Sequence, residues 1–235
     1  MRIRKSICLI LFFACAALYA GDSATYVDLG FSPDGRVYFF GQYGIQAETL
    51  QPWAELNGVN VIQNNFVAGG RLSYTHDSAI TPGQDGSGAL FQLISRNSAL
   101  TGRYGLDFMR QGLSLYLDLD GARADDSAAS DSMAIAFRDF EQGSSYAATL
   151  VSRVDSPSGG LQSSFYIDLE ITSRDGTKKT YMVGNPQVNR AQIASYRINR
   201  VMLSPRKDAL VFVIEMKRLG SAGYDIRYMI ETLGL

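Results

Sequence analysis

The stretch Phe31-Ser32-Pro33-Asp34-Gly35-Arg36, followed at once by the apolar run Val37 to Phe40, decides the fold of this chain. Pro presets its own backbone angle for a turn, Asp can bond its own backbone, and Gly accepts a positive φ. A related stretch, Leu203-Ser204-Pro205-Arg206-Lys207-Asp208, precedes a second apolar run, Ala209 to Ile214. We therefore predict two related turns that each lead into a buried strand. The predicted structural turn residues are Ser32, Pro33, Asp34, Gly35, Ser204 and Pro205.

The two turn stretches lie near opposite ends of the chain, with no clear copy between them. A propeller would need such a motif to recur at a period of about forty residues. The pattern therefore disfavours a propeller. It favours two related hairpins that lie side by side in one sheet.

Strict alternation of apolar and polar residues marks three further segments, 113–120, 165–172 and 224–231. Alternation of this kind is typical of antiparallel strands with one buried and one wetter face. In the first segment, the face predicted to be buried consists of Leu113, Leu115, Leu117 and Leu119. The stretch Arg174-Asp175-Gly176 predicts a hairpin with a type I′ turn, because Asp-Gly fits that turn.

One segment, Gly88 to Arg103, has a helical period instead, and its apolar positions are Leu90, Leu93, Ile94 and Leu100. We predict one amphipathic helix there, packed by its apolar stripe against a sheet. The predicted fold class is mostly β, with an antiparallel sandwich or open barrel-like sheets of roughly ten to twelve strands and one internal helix. The polar stretch Arg123 to Ser132 is predicted to be a mobile loop.

The N-terminus has the features of an export signal. A basic start, Met1 to Lys5, precedes an apolar run from Ile7 to Leu18, and Ala20-Gly21 is the predicted cleavage site. This predicts a signal peptide over 1–20 and a single β-rich exported domain over 21–235, in the periplasm, outside the cell or at the envelope. Two alternatives are a permanent N-terminal anchor and a lipoprotein lipidated at Cys15.

Composition excludes several classes of function. Both cysteines, Cys8 and Cys15, lie in the predicted signal peptide, so the mature chain has no thiol chemistry and no Cys-type zinc site. The net charge of −1 becomes more negative once the basic start is removed, which argues against nucleic acid and anionic membranes as partners. The only membrane contact predicted is a lipid on Cys15.

Candidate catalytic residues are few. His76 is the only histidine, it lies in a polar stretch, and we interpret it as a loop residue. Asp139 and Glu141 flank Phe140 next to Arg138, and we expect a surface ion-pair or turn role for this pair. Glycosidase chemistry would require paired carboxylates to meet across a cleft. We therefore predict no catalytic residue and no cofactor.

A carboxylate cluster raises the question of calcium. Its members are Asp118, Asp120, Asp125 and Asp126. Calcium prefers several oxygens from one flexible loop, but the spacing here lacks the glycine and closing glutamate of the calcium-loop signature. We favour a solvated strand end over a calcium site and predict no metal.

Three aromatic residues, Tyr38, Tyr43 and Trp53, are candidates for a binding patch for a peptide, a glycan or a partner protein. The alternative is that they belong to the core and the sheet surface, where aromatic residues are favoured.

Several stretches together resemble a bacterial family of predicted secreted proteins that carries a domain of unknown function, DUF family 2259. They are Gly30 to Arg36, Phe40 to Gly44, Phe137 to Phe140, Val183 to Pro186, and Val201 to Met216. The resemblance implies export and brings no known activity. We expect a non-enzymatic periplasmic or envelope-associated binding module whose partner is an unknown envelope protein, peptide or glycan. The alternatives are a carboxylate-dependent hydrolase acting on an envelope substrate and a small outer-membrane β-barrel.

Overall fold

A computed structural model describes residues 21–119, 132–156, 160–221 and 223–235. The predicted signal peptide, including Cys15, lies outside these described residues, as do Asp120, Asp125, Asp126 and nearly all of the predicted loop 123–132. The described residues form thirteen strands and two helices. Their arrangement confirms the mostly β fold class.

The strands form three open antiparallel sheets. Sheet I contains, in spatial order, β1 (Thr25–Phe31), β2 (Val37–Ile45), β3 (Pro52–Asn60) and β4 (Asn65–Thr75). Sheet II contains β13 (Gly223–Gly234), β12 (Ala209–Gly220), β11 (Ile193–Leu203) and β5 (Leu113–Leu117). In sheet III, β6 (Ser132–Asp139) pairs with β7 (Ser144–Asp155) and β7 with β8 (Gln162–Thr172), whose other side carries β9 (Lys178–Gly184) and β10 (Arg190–Ala191).

Sheet II lies in the middle of the stack. One hydrophobic cluster fills the space between sheets II and III, and another fills the space between sheets I and II. A third cluster joins the outer face of sheet I to helix α1 (Ser87–Arg96), which is followed by α2 (Ser98–Arg103). The layers therefore run helices, sheet I, sheet II, sheet III.

This stacking explains the two continuous apolar runs. In β12, Val211 and Val213 face sheet I, while Phe212 and Ile214 face sheet III. The run Val37 to Phe40 is likewise divided between the helix side and the sheet II side. Because both strands are covered on both faces, neither of them has a polar face.

The two related turns have the same hydrogen-bond pattern. Ser32 N–H donates to the carbonyl of Val37, and Ser204 N–H donates to the carbonyl of Ala209, both at 2.8 Å. Their hairpins do not lie side by side in one sheet, so that expectation was wrong: one belongs to sheet I and the other to sheet II. Two strands that are apolar on both faces bury more surface when their sheets stack than when they pair edge to edge.

The predicted hairpin at Arg174-Asp175-Gly176 joins β8 to β9, but its turn is not type I′. Type I′ requires a positive φ at both central residues. Gly176 has a φ of 83°, whereas Asp175 is not among the residues with positive φ. Instead, Asp175 Oδ1 accepts a hydrogen bond from Thr177 N–H at 2.9 Å, which supports the turn through a side chain.

Strand β5 departs from the burial that its alternation predicted, although Leu115 is partly buried against the core between sheets II and III. Leu113 and Leu117 are exposed, and Leu119 just beyond the strand is 82% exposed, whereas Tyr116 packs into the core between sheets II and III. The register of β5 against β11 shifts between Tyr116 and Ser114, which identifies Leu115 as a bulge. Since a bulge adds one residue, it exchanges the two faces of the strand beyond it.

The helical segment was predicted correctly in type and packing but consists of two helices. Leu90 and Leu93 are buried against sheet I, as the apolar stripe predicted. Asn97 has a φ of −115° and separates α1 from α2. Its side-chain Nδ2 donates to the carbonyl of Leu93 at 2.8 Å, which satisfies one of the free carbonyls at the end of α1.

The outer edge of β13 is covered by groups from elsewhere in the chain. Tyr228 N–H donates to Gln42 Oε1 at 2.8 Å, and Gln42 Nε2 donates to the carbonyl of Tyr228 at 3.1 Å. Further along, Thr232 N–H donates to Asn64 Oδ1 at 2.8 Å. Near the other end, Ile226 N–H donates to the carbonyl of Asp22 at 2.8 Å. An edge strand occupied in this way cannot pair with another chain.

Candidate functional site

The best candidate site is a cleft between edge strand β4 and the two helices. Leu90 and Leu93 anchor α1 on sheet I and so place the helix over β3, where it also contacts the neighbouring strand β4. Two depressions lie on this side of the protein: one between the loop that follows β4 and the start of α1, and one between β4 and the α1–α2 break. We call them together the β4–helix cleft.

The first depression has a volume of about 580 Å³. Its wall includes His76 and Ser78 beyond the end of β4, Asp85 before α1, and Gln92 on α1. His76 Nδ1 accepts a hydrogen bond from Ser78 N–H at 3.0 Å, so the histidine stabilises its own loop. Asp85 accepts hydrogen bonds from Ser87. The polar groups here mainly bond one another.

The second depression has a volume of about 440 Å³ and is lined by Leu72, Leu100 and small residues, with Arg96 and Arg103 at its rim. The Arg96 guanidinium lies 4.5 Å from the centroid of the Tyr74 ring, a stacked cation–π arrangement. Among the described residues, no carboxylate forms an ion pair with Arg96 or Arg103. This depression therefore combines an apolar floor with uncompensated positive charge.

The arginines of the cleft were missed by the sequence analysis. Arg96 and Arg103 are seven residues apart, a spacing that places two side chains on one face of a helix. That spacing inside the predicted helical segment was the available signal. The spacing alone does not show where β4 lies, and β4 supplies Leu72 and Tyr74 next to the arginines.

The three aromatic residues of the predicted binding patch do not meet at the surface. Tyr38 is 0% exposed and faces sheet II, whereas Tyr43 faces the helix side of the same strand. Five residues apart on one strand, the two side chains point to opposite faces. Trp53 is nearly buried and packs 4.1 Å from the Arg227 guanidinium. Tyr38 and Trp53 are therefore both buried, as in the alternative interpretation in which these residues belong to the core.

Tyr38 instead belongs to a polar cluster between sheets I and II. Its hydroxyl lies 2.5 Å from that of Tyr26, and the Arg200 guanidinium lies 5.6 Å from the Tyr26 ring centroid. Burial raises the pKa of Asp28, although the Tyr38 hydroxyl and the Arg200 charge both act to lower it. Burial also raises the pKa of both tyrosines, which therefore remain neutral hydrogen-bonding groups in the core.

The predicted carboxylate candidates are engaged in local interactions. Asp118 accepts a hydrogen bond from Arg197 Nε at 2.5 Å, and its proposed calcium partners lie outside the described residues. Asp139 Oδ1 accepts hydrogen bonds from the N–H groups of Glu141 and Gln142 and thereby caps the β6–β7 turn. Glu141 pairs with Lys207 Nζ at 2.5 Å and not with Arg138.

The two turns that contain Ser32 and Ser204 contact one another. Val37 N–H donates to Ser32 Oγ at 2.9 Å, and Ala209 N–H donates to Ser204 Oγ at 3.2 Å. A methyl group added at Gly35 would lie 3.0 Å from Arg206 Cγ. The turns of sheets I and II therefore pack together, and the Lys207–Glu141 pair continues the row to sheet III.

In the described part of the chain, no helix has the length and apolar character needed to cross a membrane. The same described residues contain no group of three or more side chains arranged to bind a metal ion.

Comparison with known proteins gives one match. A family model described as "Predicted secreted protein (DUF2259)" matches residues 39–233. No curated protein and no solved structure shows a significant match.

Proposed function

The chain belongs to the DUF2259 family of predicted secreted proteins, and on that premise we propose that it is an exported, non-enzymatic binding module that holds its partner in the β4–helix cleft. We place it in the periplasm or at the envelope. The partner class that the cleft favours is a protein or peptide that carries negative charge.

The observation that supports this proposal most strongly is the unbalanced charge of the second depression. Arg96 and Arg103 border an apolar floor, and no described carboxylate pairs with either of them. Elsewhere, Arg190, Arg197 and Arg227 all form ion pairs. Arginine is, with Trp and Tyr, one of the residue types enriched among those that contribute most binding energy at protein interfaces.

The engagement of the carboxylates supports binding over hydrolysis. General acid–base chemistry needs a carboxylate within reach of a substrate proton. Asp118 is paired with Arg197, Asp139 caps a turn, and Glu141 pairs with Lys207. Asp139 therefore stabilises its own turn, whereas Asp118 and Glu141 join neighbouring parts of the fold.

Site-specific cross-linking tests the proposal. A photoreactive residue replaces Gln92, which lines the cleft, in cells that export the protein. We expect a discrete adduct with an envelope component that disappears in the Arg96→Ala/Arg103→Ala double variant. The same photoreactive residue at Thr180 on β9 is the control and should give no such adduct.

Two results would contradict the proposal. One is an adduct at Gln92 that the double variant leaves unchanged, because the arginines would then have no part in binding. The other is turnover of glycans, esters or peptides by the purified protein, which would identify an enzyme.

A further inference from the structure

We propose that β4 binds an extended, acidic segment of a partner protein as an added strand at the edge of sheet I. This inference rests on the proposed function and specifies how the cleft takes its partner. The recognition mode is strand addition, in which backbone hydrogen bonds provide affinity and the flanking side chains provide selectivity.

The orientation of the β4 backbone follows from its register. His76 N–H donates to the carbonyl of Pro52 at 2.8 Å, so these two residues form a hydrogen-bonded pair. In an antiparallel ladder such pairs alternate with pairs whose backbone groups point away from each other. Arg71, Ser73 and Thr75 therefore direct their N–H and C=O groups outward from the sheet.

No group in the described residues occupies these outward positions. The backbone hydrogen bonds outside the regular ladders include none from or to Arg71, Ser73 or Thr75, nor does any side chain of the described chain reach them. At the opposite edge of sheet I, Phe31 N–H donates to the carbonyl of Arg110 at 2.9 Å. The exposed edge of β13 is capped by side chains such as Gln42. Among the described residues, therefore, none protects this part of β4 in the way that the edges of β1 and β13 are protected.

The charge around β4 selects an acidic strand. Side chains of an added strand would alternate between the two faces of sheet I. On the helix face they would meet Arg96 and Arg103 and the apolar floor at Leu72. On the other face they would meet Arg71, which is exposed and without an ion pair to any described residue. A segment that combines carboxylates with apolar residues fits both faces.

The experiment uses the mature protein and two synthetic peptides, one that alternates Glu with Val and one that alternates Lys with Val. We expect the acidic peptide alone to bind in calorimetry, with an affinity that falls as salt is added. Amide hydrogen exchange on the complex should show new protection at Arg71, Ser73 and Thr75. Acidic-peptide binding without that protection would overturn strand addition and leave the proposed cleft function standing.

Two proline variants provide a matched comparison. Ser73→Pro removes an outward N–H, which an edge strand tolerates, and we expect it to weaken peptide binding about tenfold or more. Thr180→Pro makes the same change at an outward position of β9 and should not alter binding. Arg96→Ala should weaken binding about two- to fivefold through the loss of one exposed ion pair.

The remaining outcomes are also decisive. Equal binding of the acidic and basic peptides, or full affinity of Ser73→Pro with an intact unfolding transition, would overturn the proposal. If Ser73→Pro fails to fold, the wild-type protein is tested instead with an acidic peptide methylated on alternate backbone nitrogens. Undiminished binding of that methylated peptide would also overturn the proposal. If neither peptide binds while the Gln92 adduct still forms, strand addition fails and the proposed function stands.

Discussion

Replacing Leu90 by alanine tests how α1 is attached to the protein. Leu90 is 2% exposed and packs against sheet I, where the strand opposite it carries a glycine, Gly41. Burial of this degree makes Leu→Ala cost about 2–5 kcal/mol, the sum of lost transfer energy and the cavity left behind. For a chain of this size, such a loss lowers Tm by about 4–20 °C. Phe91→Ala is the control, because Phe91 is 68% exposed on the same helix and should change stability by less than about 0.5 kcal/mol.

The contact itself is tested by a double-mutant cycle with Gly41. A methyl group added at Gly41 would lie 2.7 Å from Leu90 Cδ1, which is closer than two carbon atoms can approach. Gly41→Ala alone should therefore cost about 1–3 kcal/mol through overpacking. In the Leu90→Ala background the same methyl group has space, so that cost should largely disappear. The coupling energy should then be about 1–3 kcal/mol.

Urea unfolding followed by the fluorescence of Trp53, the only tryptophan, measures all four stabilities. Additive losses would refute the packing of Leu90 on Gly41, since independent sites have no coupling energy. A loss below about 1 kcal/mol for Leu90→Ala alone would show that α1 is not held by this side chain.

Three further predictions concern the buried polar groups. Gln42→Leu leaves the outward N–H and C=O of Tyr228 without their Gln42 partners and should lower the free energy of unfolding in urea by about 2–4 kcal/mol. A loss near zero would show that water replaces both hydrogen bonds. Burial raises the pKa of Glu231 above its ordinary value of 4.5, so its contribution to stability is fully present below that pH and is lost as the pH rises through the raised pKa. The stability of the wild type relative to Glu231→Gln should accordingly fall as the pH rises from 4.5 through the raised pKa, and a difference that stays flat as the pH rises above 4.5 would contradict the raised pKa. Ser32→Ala and Ser204→Ala should each cost about 1–2 kcal/mol by removing an equivalent turn hydrogen bond, and a large difference between the two in thermal unfolding would show that the turns are not equivalent.

The strand content of this chain was predictable because its patterns are local. Continuous apolar runs such as 209–214 indicated buried strands, and each of the two turns lies at a Ser-Pro stretch just before its run. The face of β5 was not predictable in the same way. Leu113, Leu115, Leu117 and Leu119 alternate without a break, yet a bulge at Leu115 exchanges the two faces of the strand beyond it, and Leu117 and Leu119 are exposed. A bulge depends on the register with the neighbouring strand, which the alternation of one strand does not contain.

The candidate site was less predictable than the fold. Aromatic clustering pointed to Tyr38 as a surface binding residue. Its side chain lies on the face of β2 that points to sheet II, however, so the ring is in the core. The cleft residues Leu72 and Arg96 are separated by a loop and a helix, and they meet only because Leu90 anchors α1 beside β4. A site built from an edge strand and a distant helix has no continuous motif.

By itself, the sequence determined the mostly β class, the helical segment, the turn residues from Ser32 to Gly35 and the features of an exported protein, because each depends on residues close together in the chain. Only the tertiary structure decided the order of the layers, the stacking of the two related hairpins in facing sheets and the outward positions of β4 that no described residue caps. The physical reason is that strand hydrogen bonds and sheet stacking join residues that are distant in sequence. Whether an edge is capped, as at Tyr228, or open, as at Ser73, depends on which distant side chain reaches it.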